Sequence, residues 1–420
     1  MHILYGDGIH DDTLAIQELI DSGKCEVSLP VPEKCYLISK PLELPSNFRL
    51  VLPRFAEIKL KDGSNCTMLQ NKLVKDFKER PNGGNLWYYV NEYSPDHLIE
   101  NIEVIGGIWN HNNKGQAPNP QAKNVYDIRF FGGYPFLFYN VRNLKISSLT
   151  IKDPVNFAAT LDRVEYFTVS DITFDFNDGN PDPGNMDGIH LCGNCRFGVI
   201  ENIKGSTYDD LVALNADEGS QGEVSNIEVR GLYAENCHSA IRLLSANYPI
   251  KNIHISDVFG TYYQYSIGLT RYYHTDDKGI YENVSIENVF ASKAKRYCVR
   301  FRVMENKDGN FDWADGEVWR VYGPEKFGGE RYEEDGFAVI WIDSLERIKG
   351  LKIANLYRTE YNTPIETIRI KEDTEIEELI LDNVIVENHT GKEMPFMVNN
   401  GEIKNLITRG IFQDGKEIKL

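Results

Sequence analysis

Residues 226–234 read NIEVRGLYA, and residues 252–260, which begin 26 positions later, read NIHISDVFG. The two stretches share one pattern. An asparagine is followed by an aliphatic residue, any residue, a second aliphatic residue, two variable residues, a third aliphatic residue and an aromatic one. Apolar residues at every second position predict a β-strand rather than a helix.

The same pattern recurs along most of the chain at intervals of mostly 23 to 31 residues. Clear copies are NIEVIGGIW (101–109), NLKISSLTI (143–151), YFTVSDITF (166–174) and NVSIENVFA (283–291), and weaker copies begin at Phe197, Gly350, Glu378 and Asn405. Such an interval is too short for a parallel strand pair with a crossover helix. It fits one coil of a β-solenoid, in which inward aliphatic residues of successive coils stack into one core.

The sequence therefore predicts an all-β protein, a single-stranded right-handed parallel β-helix forming one domain over residues 1–420. A β-sandwich of meandering strands is the alternative, and the near-constant interval favours the solenoid.

An open solenoid end needs a cap. Residues 8–23, GIHDDTLAIQELIDSG, predict a short amphipathic capping helix. Asp11 or Asp12 is the expected N-cap and Gly23 the expected stop. The residues expected to cover the first coil are Leu14, Ile16, Leu19 and Ile20.

One interval, from Asn283 to Gly350, is 67 residues long. We expect residues 306–345 to form a long loop excursion from the solenoid wall. Its aromatic residues have two interpretations, stacking on sugar rings or packing onto the wall; they are Trp313, Trp319 and Tyr322.

Charge and composition exclude several classes of protein. The formal net charge of −18 argues against a nucleic-acid partner. No apolar run approaches the length of a membrane span. Residues 1–20 lack the basic and apolar regions of a secretory signal, which leaves a cytoplasmic protein, or a secreted or periplasmic one whose signal was removed.

The seven cysteines include one C-x-x-C, formed by Cys192 and Cys195. A zinc site would need a second pair at a suitable spacing, which the sequence lacks. We therefore expect structural cysteines, no metal and no cofactor.

The repeat also predicts where acidic residues stack. Asp210 follows Phe197 by thirteen positions, and Ser239 and Tyr265 follow the starts of the next two copies by the same number. Asp187 opens the similar strand DGIHL one coil earlier. These four residues are expected to form one file along the solenoid, with Asp209 and His238 in the neighbouring file.

Adjacent strands lie roughly 4.8 Å apart, so three carboxylates and an imidazole would converge on one patch of the wall. Crowded like charges raise at least one carboxyl pKa, which gives an acid beside a carboxylate. Glycoside hydrolysis requires such a pair. The alternative is that each aspartate is a turn residue, for which Asp-Gly is a common dipeptide.

These motifs resemble those of the polygalacturonase-like glycoside hydrolases (family 28 type) of the pectate-lyase-like β-helix superfamily. The similar stretches are YGDGIHDDTLAIQELID (5–21), VIGGIWNHNNKG (104–115), Asn185-Met186-Asp187-Gly188 and Tyr208-Asp209-Asp210. The resemblance extends from about residue 1 to residue 305.

The resemblance implies roles for these residues. Asp209 would be the general acid, and Asp187 and Asp210 would hold and activate the attacking water, with inversion at the anomeric carbon. The family histidine would be His238, or it was lost near Tyr263 through an extra coil.

The family also has a basic pair that grips a galacturonate carboxylate, and Arg300-Phe301-Arg302 is similar to it. The expected substrate-binding residues are Asn185, Arg242, Arg271, Arg300 and Arg302.

Three functions follow from these features. The first is an inverting glycoside hydrolase acting on a polysaccharide or oligosaccharide, with a pectin-like, uronate-containing chain among the candidate substrates. The second is a calcium-dependent polysaccharide lyase, since an acidic cluster can bind Ca²⁺. The third is a non-catalytic carbohydrate-binding β-helix. All three imply a carbohydrate partner; the sugar, the linkage, end-on or internal cleavage, and the oligomeric state stay open at this point.

Overall fold

The computed structural model describes most of the chain. For residues 75, 89–90, 297–305 and 311–322 it describes the backbone alone. The described ranges are 2–75, 89–90, 98–117, 132–180, 183–271, 277–294, 297–305, 311–322 and 336–420.

Two long sheets run along the molecule, and successive coils contribute strands to both. Their strands pair in parallel, except that Lys416–Glu417 pairs antiparallel with Glu402–Gln413. The long-strand sheet consists of Glu26–Ser28, Tyr36–Ile38, Phe48–Val51, Glu57–Leu60, Ile99–Ile105, Ile108–Asn110, Val141–Lys152, Glu165–Asp175, Arg196–Lys204, Val224–Cys237, Ile250–Tyr262, Gly279–Lys293, Glu346–Ile348, Leu351–Glu360, Glu375–Asn388, Glu402–Gln413 and Lys416–Glu417. The short-strand sheet consists of Leu42–Leu44, Leu69–Asn71, Phe136–Tyr139, Ala159–Asp162, Ile189–Leu191, Asp210–Asn215, Ser239–Leu244, Ile267–Thr270, Ile340–Ile342, Ile368–Ile370 and Met397–Asn399. The predicted all-β parallel β-helix is confirmed.

Register between coils follows the sequence repeat. Ile227 pairs with Ile253, which pairs in turn with Val284, and all three side chains are buried. Burying an aliphatic side chain of this size stabilises the fold by about 1.5–3 kcal/mol. The repeated aliphatic positions thus form the continuous core that the alternation predicts.

The asparagine that opens most of the clear copies has a backbone role. Asn226, Asn252 and Asn283 have φ angles of 58°, 53° and 56°, in the left-handed region where the long strand bends. Asparagine tolerates this region better than other residues with a side chain. The side chains also form a ladder, because Asn252 Nδ2 donates to Asn226 Oδ1 at 3.0 Å and Asn283 Nδ2 donates to Asn252 Oδ1 at 2.9 Å.

The capping helix is Thr13–Ile20, inside the predicted segment, and Asp12 is its N-cap. Ile16 and Ile20, one turn apart, are buried against the first coil. The expectation for Leu14 was wrong: it is 55% exposed, because two positions from Ile16 correspond to the opposite face of a helix. In the part of the chain that the structure describes, no helix has the length and apolar character needed to cross a membrane.

The long interval contains an antiparallel hairpin. Val284 pairs directly with Leu351, so the whole interval belongs to one coil. Tyr297–Glu305 pairs with Phe311–Tyr322, and the chain rejoins the short-strand sheet at Ile340–Ile342. The bounds predicted from sequence, 306–345, were therefore wrong at both ends, since the hairpin starts earlier and the wall resumes sooner. Residues 306–310 and 323–335 lie outside the described residues, as do the side chains of Trp313, Trp319 and Tyr322.

We expect Asn252→Ala to lower the free energy of unfolding by about 1–2 kcal/mol, because alanine is disfavoured in the left-handed region. Asn252→Gly removes the same ladder hydrogen bonds but tolerates the backbone angle, so it should be less destabilising. Chemical denaturation of the two variants beside the wild type measures the difference. Equal destabilisation by alanine and glycine would contradict a backbone role for the asparagine.

Candidate active site

The predicted file of residues lies on successive coils. Asp210 pairs with Ser239, and Gly188, which follows Asp187, donates its backbone N–H to Asp210 O at 2.9 Å. Tyr265 enters the file one coil later, where Ile241 pairs with Ile267. All of these residues lie where the chain turns from a long strand into a short one. The parallel register thus brings together side chains that are distant in sequence.

Three carboxyl groups are buried in this turn. Asp187 is 2% exposed, Asp209 is 8% exposed and Asp210 is fully buried. Burial, followed by the nearby Asp209 charge, raises the pKa of Asp187 to about 6. Burial also raises the pKa of Asp210 well above its usual range, although the neighbouring Arg242 opposes that shift. The carboxyls therefore compete for protons as a group.

Arg242 lies inside this cluster. Its Nε is 3.0 Å from Asp210 Oδ2, and its Nη2 is 3.6 Å from Asp209 Oδ1. The same Nε donates a hydrogen bond to the Tyr265 hydroxyl at 2.8 Å. The sequence predicted a substrate-binding role for Arg242; in the structure its guanidinium contacts the carboxylates directly and offsets their charge.

His238 lies beside the most exposed of the three acids. Its Nδ1 is 3.4 Å from Asp209 Oδ1. One coil further, Gln264 occupies the corresponding position and donates its backbone N–H to His238 O at 2.8 Å. Of the two alternatives for the histidine, the structure favours His238, because no coil intervenes between it and Asp209.

Two residues of the cluster were missed from the sequence. His190 Nδ1 is 2.8 Å from Asp187 Oδ2, and His190 Nε2 is 2.7 Å from Glu218 Oε2. Phe157 stacks on the imidazole, with the ring centroids 3.8 Å apart. The spacing Asp187-x-x-His190 could have suggested the first contact, whereas Glu218 comes from a loop that carries no repeat signal.

Charge explains the state of this pair. Burial opposes a charged imidazole, but the Glu218 and Asp187 carboxylates outweigh it and raise the pKa of His190 well above its usual value. Burial likewise disfavours the Glu218 anion, yet the imidazolium lowers the pKa of Glu218 to about 2. The two groups therefore form a buried ion pair at neutral pH.

Other predicted binding residues are less central. Arg271 follows the far end of Ile267–Thr270, roughly 20 Å along the strand from Tyr265. Its Nη1 donates to the Asp277 carbonyl, so the structure does not bring it into the cluster. Asn185, with φ of 54°, forms the bend two residues before Asp187. Arg300 and Arg302 lie on the hairpin strand Tyr297–Glu305, and their side chains are outside the described residues.

One group of side chains could hold a cation. Ligand atoms of Asp209, Asp210 and His238 all lie within 4.8 Å of one another. The Arg242 guanidinium already supplies positive charge at two of them.

Cys192 and Cys195 are buried free thiols, and burial raises the pKa of Cys192 to about 12, so the C-x-x-C has little thiolate character.

Comparison with known proteins agrees with this geometry. Residues 103–262 match the model of the glycosyl hydrolases family 28, and the matched segment includes all three aspartates and His238. The resemblance seen in the sequence is confirmed, and the match supports a glycoside hydrolase. No curated protein matches the chain in sequence.

Solved structures show the same fold. The family 28 exopolygalacturonase of Yersinia enterocolitica superposes with a TM-score of 0.55 at 14% identity, covering 99% of this chain and 75% of that one. The endo-xylogalacturonan hydrolase of Aspergillus tubingensis gives 0.53 at 14%, covering 94% and 97%. A tailspike protein mutant of E. coli bacteriophage HK620 gives 0.59 at 13%, covering 96% and 64%. At these identities the likeness establishes the β-helix architecture alone.

Replacing Arg242 tests the charge balance of the cluster. We expect Arg242→Gln to destabilise the protein by about 3–5 kcal/mol, because it leaves buried carboxylates without their cation. The loss should be greater at about pH 8 than at about pH 5, where protonation relieves the uncompensated charge. Thermal unfolding at both pH values measures it.

The matched control adds Asp210→Asn to the same variant, which removes one of the crowded charges. The double variant should regain part of the lost stability at the higher pH. An Arg242→Gln variant with wild-type stability at both pH values would show that the guanidinium does not offset the carboxylates.

Proposed function

We propose that the protein is an inverting glycoside hydrolase that cleaves a polysaccharide or an oligosaccharide. Asp209 is the general acid, and Asp187 and Asp210 hold and activate the attacking water. The observation that carries this proposal is the convergence of three buried carboxyl groups from two successive coils, two of them in contact with the Arg242 guanidinium.

The neighbours of each carboxyl support this division of roles. Asp187 lies 2.8 Å from the His190 imidazole, and Asp210 lies 3.0 Å from the Arg242 guanidinium. A close cation favours the ionised form of a carboxyl. Asp209 has the longer contacts, 3.6 Å to Arg242 and 3.4 Å to His238. The proposed mechanism requires the shared proton to be on Asp209 when the leaving group departs, against the burial that raises the pKa of Asp187 and of Asp210.

Exposure supports the same assignment. Asp209 is more exposed than Asp187 or Asp210, so it is the carboxyl best able to reach a leaving-group oxygen. In an inverting hydrolase the acid protonates that oxygen while a base deprotonates a water on the opposite face of the sugar ring. Asp187 and Asp210, held deeper in the wall, would position that water.

His238 would act on the acid. Its Nδ1 lies 3.4 Å from Asp209 Oδ1, so the imidazole is next to the carboxyl that would donate a proton to the leaving group. An imidazole there can restore the proton to Asp209 after each turnover, since its pKa normally lies near neutrality.

The charge of the protein and of the cluster bears on the proposed substrate class. A net charge of −18 disfavours a densely anionic polymer unless the cleft itself is locally cationic. The Arg242 guanidinium supplies positive charge at the acids, but it already forms ion pairs with Asp209 and Asp210. We therefore propose a carbohydrate whose recognition is not dominated by uronate charge, with a pectin-like, uronate-containing chain as the variant to compare against it.

A calcium-dependent lyase is the second candidate, since the Asp209, Asp210 and His238 atoms are close enough to share a cation. A lyase forms an unsaturated product that absorbs ultraviolet light, and chelation would abolish the activity. Hydrolysis gives reducing ends without that absorbance and continues in chelator.

We expect Asp209→Asn to reduce release of reducing sugar from a cleavable glycan by about 10²–10⁴-fold, because the amide cannot deliver a proton. The control is Asp175→Asn, which makes the same isosteric change at an exposed residue paired with Lys152 on the outer surface. The control should keep full activity, since exposed ion pairs contribute little.

The measurement is reducing-end release across a panel of defined oligosaccharides, with circular dichroism to confirm that both variants fold. Wild-type activity in Asp209→Asn would rule out its role as the acid. Wild-type protein that binds glycans without cleaving any member of the panel would instead favour a non-catalytic β-helix.

A further inference from the structure

We propose that His190 and Glu218 form a positioning pair for the hydrolytic site, in which Glu218 holds His190 as an imidazolium and His190 holds Asp187 as the carboxylate that activates water. This inference rests on the proposed function and extends it to two residues that do not touch substrate. It assigns a role to a buried ion pair that the acid, base and histidine assignments leave unused.

His190 has a carboxylate at each ring nitrogen and an aromatic ring stacked on its face. Each ring nitrogen of His190 faces a carboxylate, Asp187 at 2.8 Å and Glu218 at 2.7 Å. The Phe157 ring stacks on the imidazole with an interplanar angle of 6°. The imidazole is almost fully buried, so its charge is poorly screened by solvent.

Glu218 is itself held in place. Asn215 Nδ2 donates a hydrogen bond to Glu218 Oε2 at 3.0 Å, from the end of the strand Asp210–Asn215. That strand begins with Asp210, so one strand supplies a member of the acid cluster at one end and the support for Glu218 at the other. Three consecutive side-chain contacts therefore link Asn215 to Glu218, Glu218 to His190, and His190 to Asp187 in the acid cluster.

The two carboxylates that flank the imidazole determine its protonation. When each ring nitrogen lies within 2.8 Å of a carboxylate oxygen, the doubly protonated imidazolium is favoured, because a neutral ring would place a lone pair against one of the anions. The resulting positive charge next to Asp187 opposes the effect of burial and of the Asp209 charge on that carboxyl. Without it, Asp187 would take up the proton that the mechanism needs on Asp209.

The surroundings of His190 include other ionisable groups that any titration must consider. On its own coil the thiol of Cys192 makes a hydrogen bond with the imidazole, and the preceding coil contributes Asp162, whose pKa is raised to about 7 by burial. Further groups that act on the pair or on its partners are Asp187, Glu218, Asp209 and Arg242. Of these, only Asp187 and Glu218 contact the two ring nitrogens as ion pairs among the described residues.

The experiment compares wild type with His190→Phe, which keeps an aromatic ring against Phe157 but removes both N–H donors, and with Glu218→Gln, which keeps the shape but removes the charge. The control is His254→Gln, on the outer face of the strand Ile250–Tyr262 and outside the cluster. Carboxyl ¹³C and imidazole ¹⁵N NMR follow the titration of Asp187 and His190 in each full-length protein without using activity.

We expect both His190 nitrogens to remain protonated at about pH 8 in the wild type. The chain has nine histidines, so the His190 signals are assigned by their loss in His190→Phe. In His190→Phe the proton affinity of Asp187 should rise by about tenfold or more, and in Glu218→Gln by a smaller factor. His254→Gln should leave both titrations unchanged. A His190 that titrates at or below about pH 6.5, or an Asp187 that titrates identically in wild type and His190→Phe, would overturn the proposal.

The activity arm separates this inference from the proposed function. Asp187 must be ionised to act as a base, so raising its pKa moves the acidic limb of the kcat/KM profile to higher pH. We expect His190→Phe to lose most activity at about pH 5 and to recover much of it at about pH 8. A uniform loss at every pH would indicate a merely structural role and contradict the positioning pair.

A wild-type protein that cleaves no glycan, yet shows the expected NMR titrations, would refute the hydrolase while leaving the ion pair and its effect on Asp187 established. Should His190→Phe fail to fold by circular dichroism, Glu218→Gln decides the question through the same two titrations.

Discussion

The structure depends on the parallel register between coils. Each strand of the short-strand sheet lies one strand spacing, roughly 4.8 Å, from its neighbours, and the turn that precedes it is repeated in nearly the same place. A polar residue placed in that turn therefore meets the corresponding residues of the coils before and after it. Asp187, Asp210 and Ser239 are neighbours for this reason alone. The same spacing stacks asparagines at the bends and aliphatic side chains in the core.

Stacking has an electrostatic cost, which the cluster offsets with cations drawn from neighbouring positions. Three buried carboxyls at this spacing cannot all ionise without compensation. Arg242 enters from the strand one coil beyond Asp210, and His190 enters from the strand that follows Asp187. Asp210 and Asp187 thus each have a close cation, and Asp209 Oδ1 lies 3.6 Å from Arg242 Nη2. An inverting glycoside hydrolase needs one protonated acid and an ionised partner, and the proposed roles assign the proton to Asp209.

The sequence revealed the architecture because the core repeats. An alternating aliphatic pattern with an asparagine at the bend gave both the coil length and the file of Asp187, Asp210, Ser239 and Tyr265. It also located His238 next to Asp209, although the departure from the family motif left that position open.

Features that do not repeat were not predictable. Glu218 lies in a loop between strands, and its contact with His190 depends on how that loop folds back. Arg242 was predicted to bind substrate by resemblance to the family's basic pair, and the sequence did not reveal that its guanidinium contacts Asp209 and Asp210. Leu14 was misplaced for a simpler reason, since a short helix buries only one face. The hairpin strands Tyr297–Glu305 and Phe311–Tyr322 interrupt the repeat, and the pattern gives no information on where an interruption begins.

The most direct test of a water-activating carboxylate pair opposite an acid is the anomeric configuration of the first product. Proton NMR recorded during the first minutes of cleavage of a defined oligosaccharide, before mutarotation, gives that configuration. The account predicts the anomer opposite to that of the substrate, since water attacks in a single displacement. A product with the original configuration would require a covalent intermediate on one of the aspartates and would contradict the roles assigned to Asp187, Asp209 and Asp210.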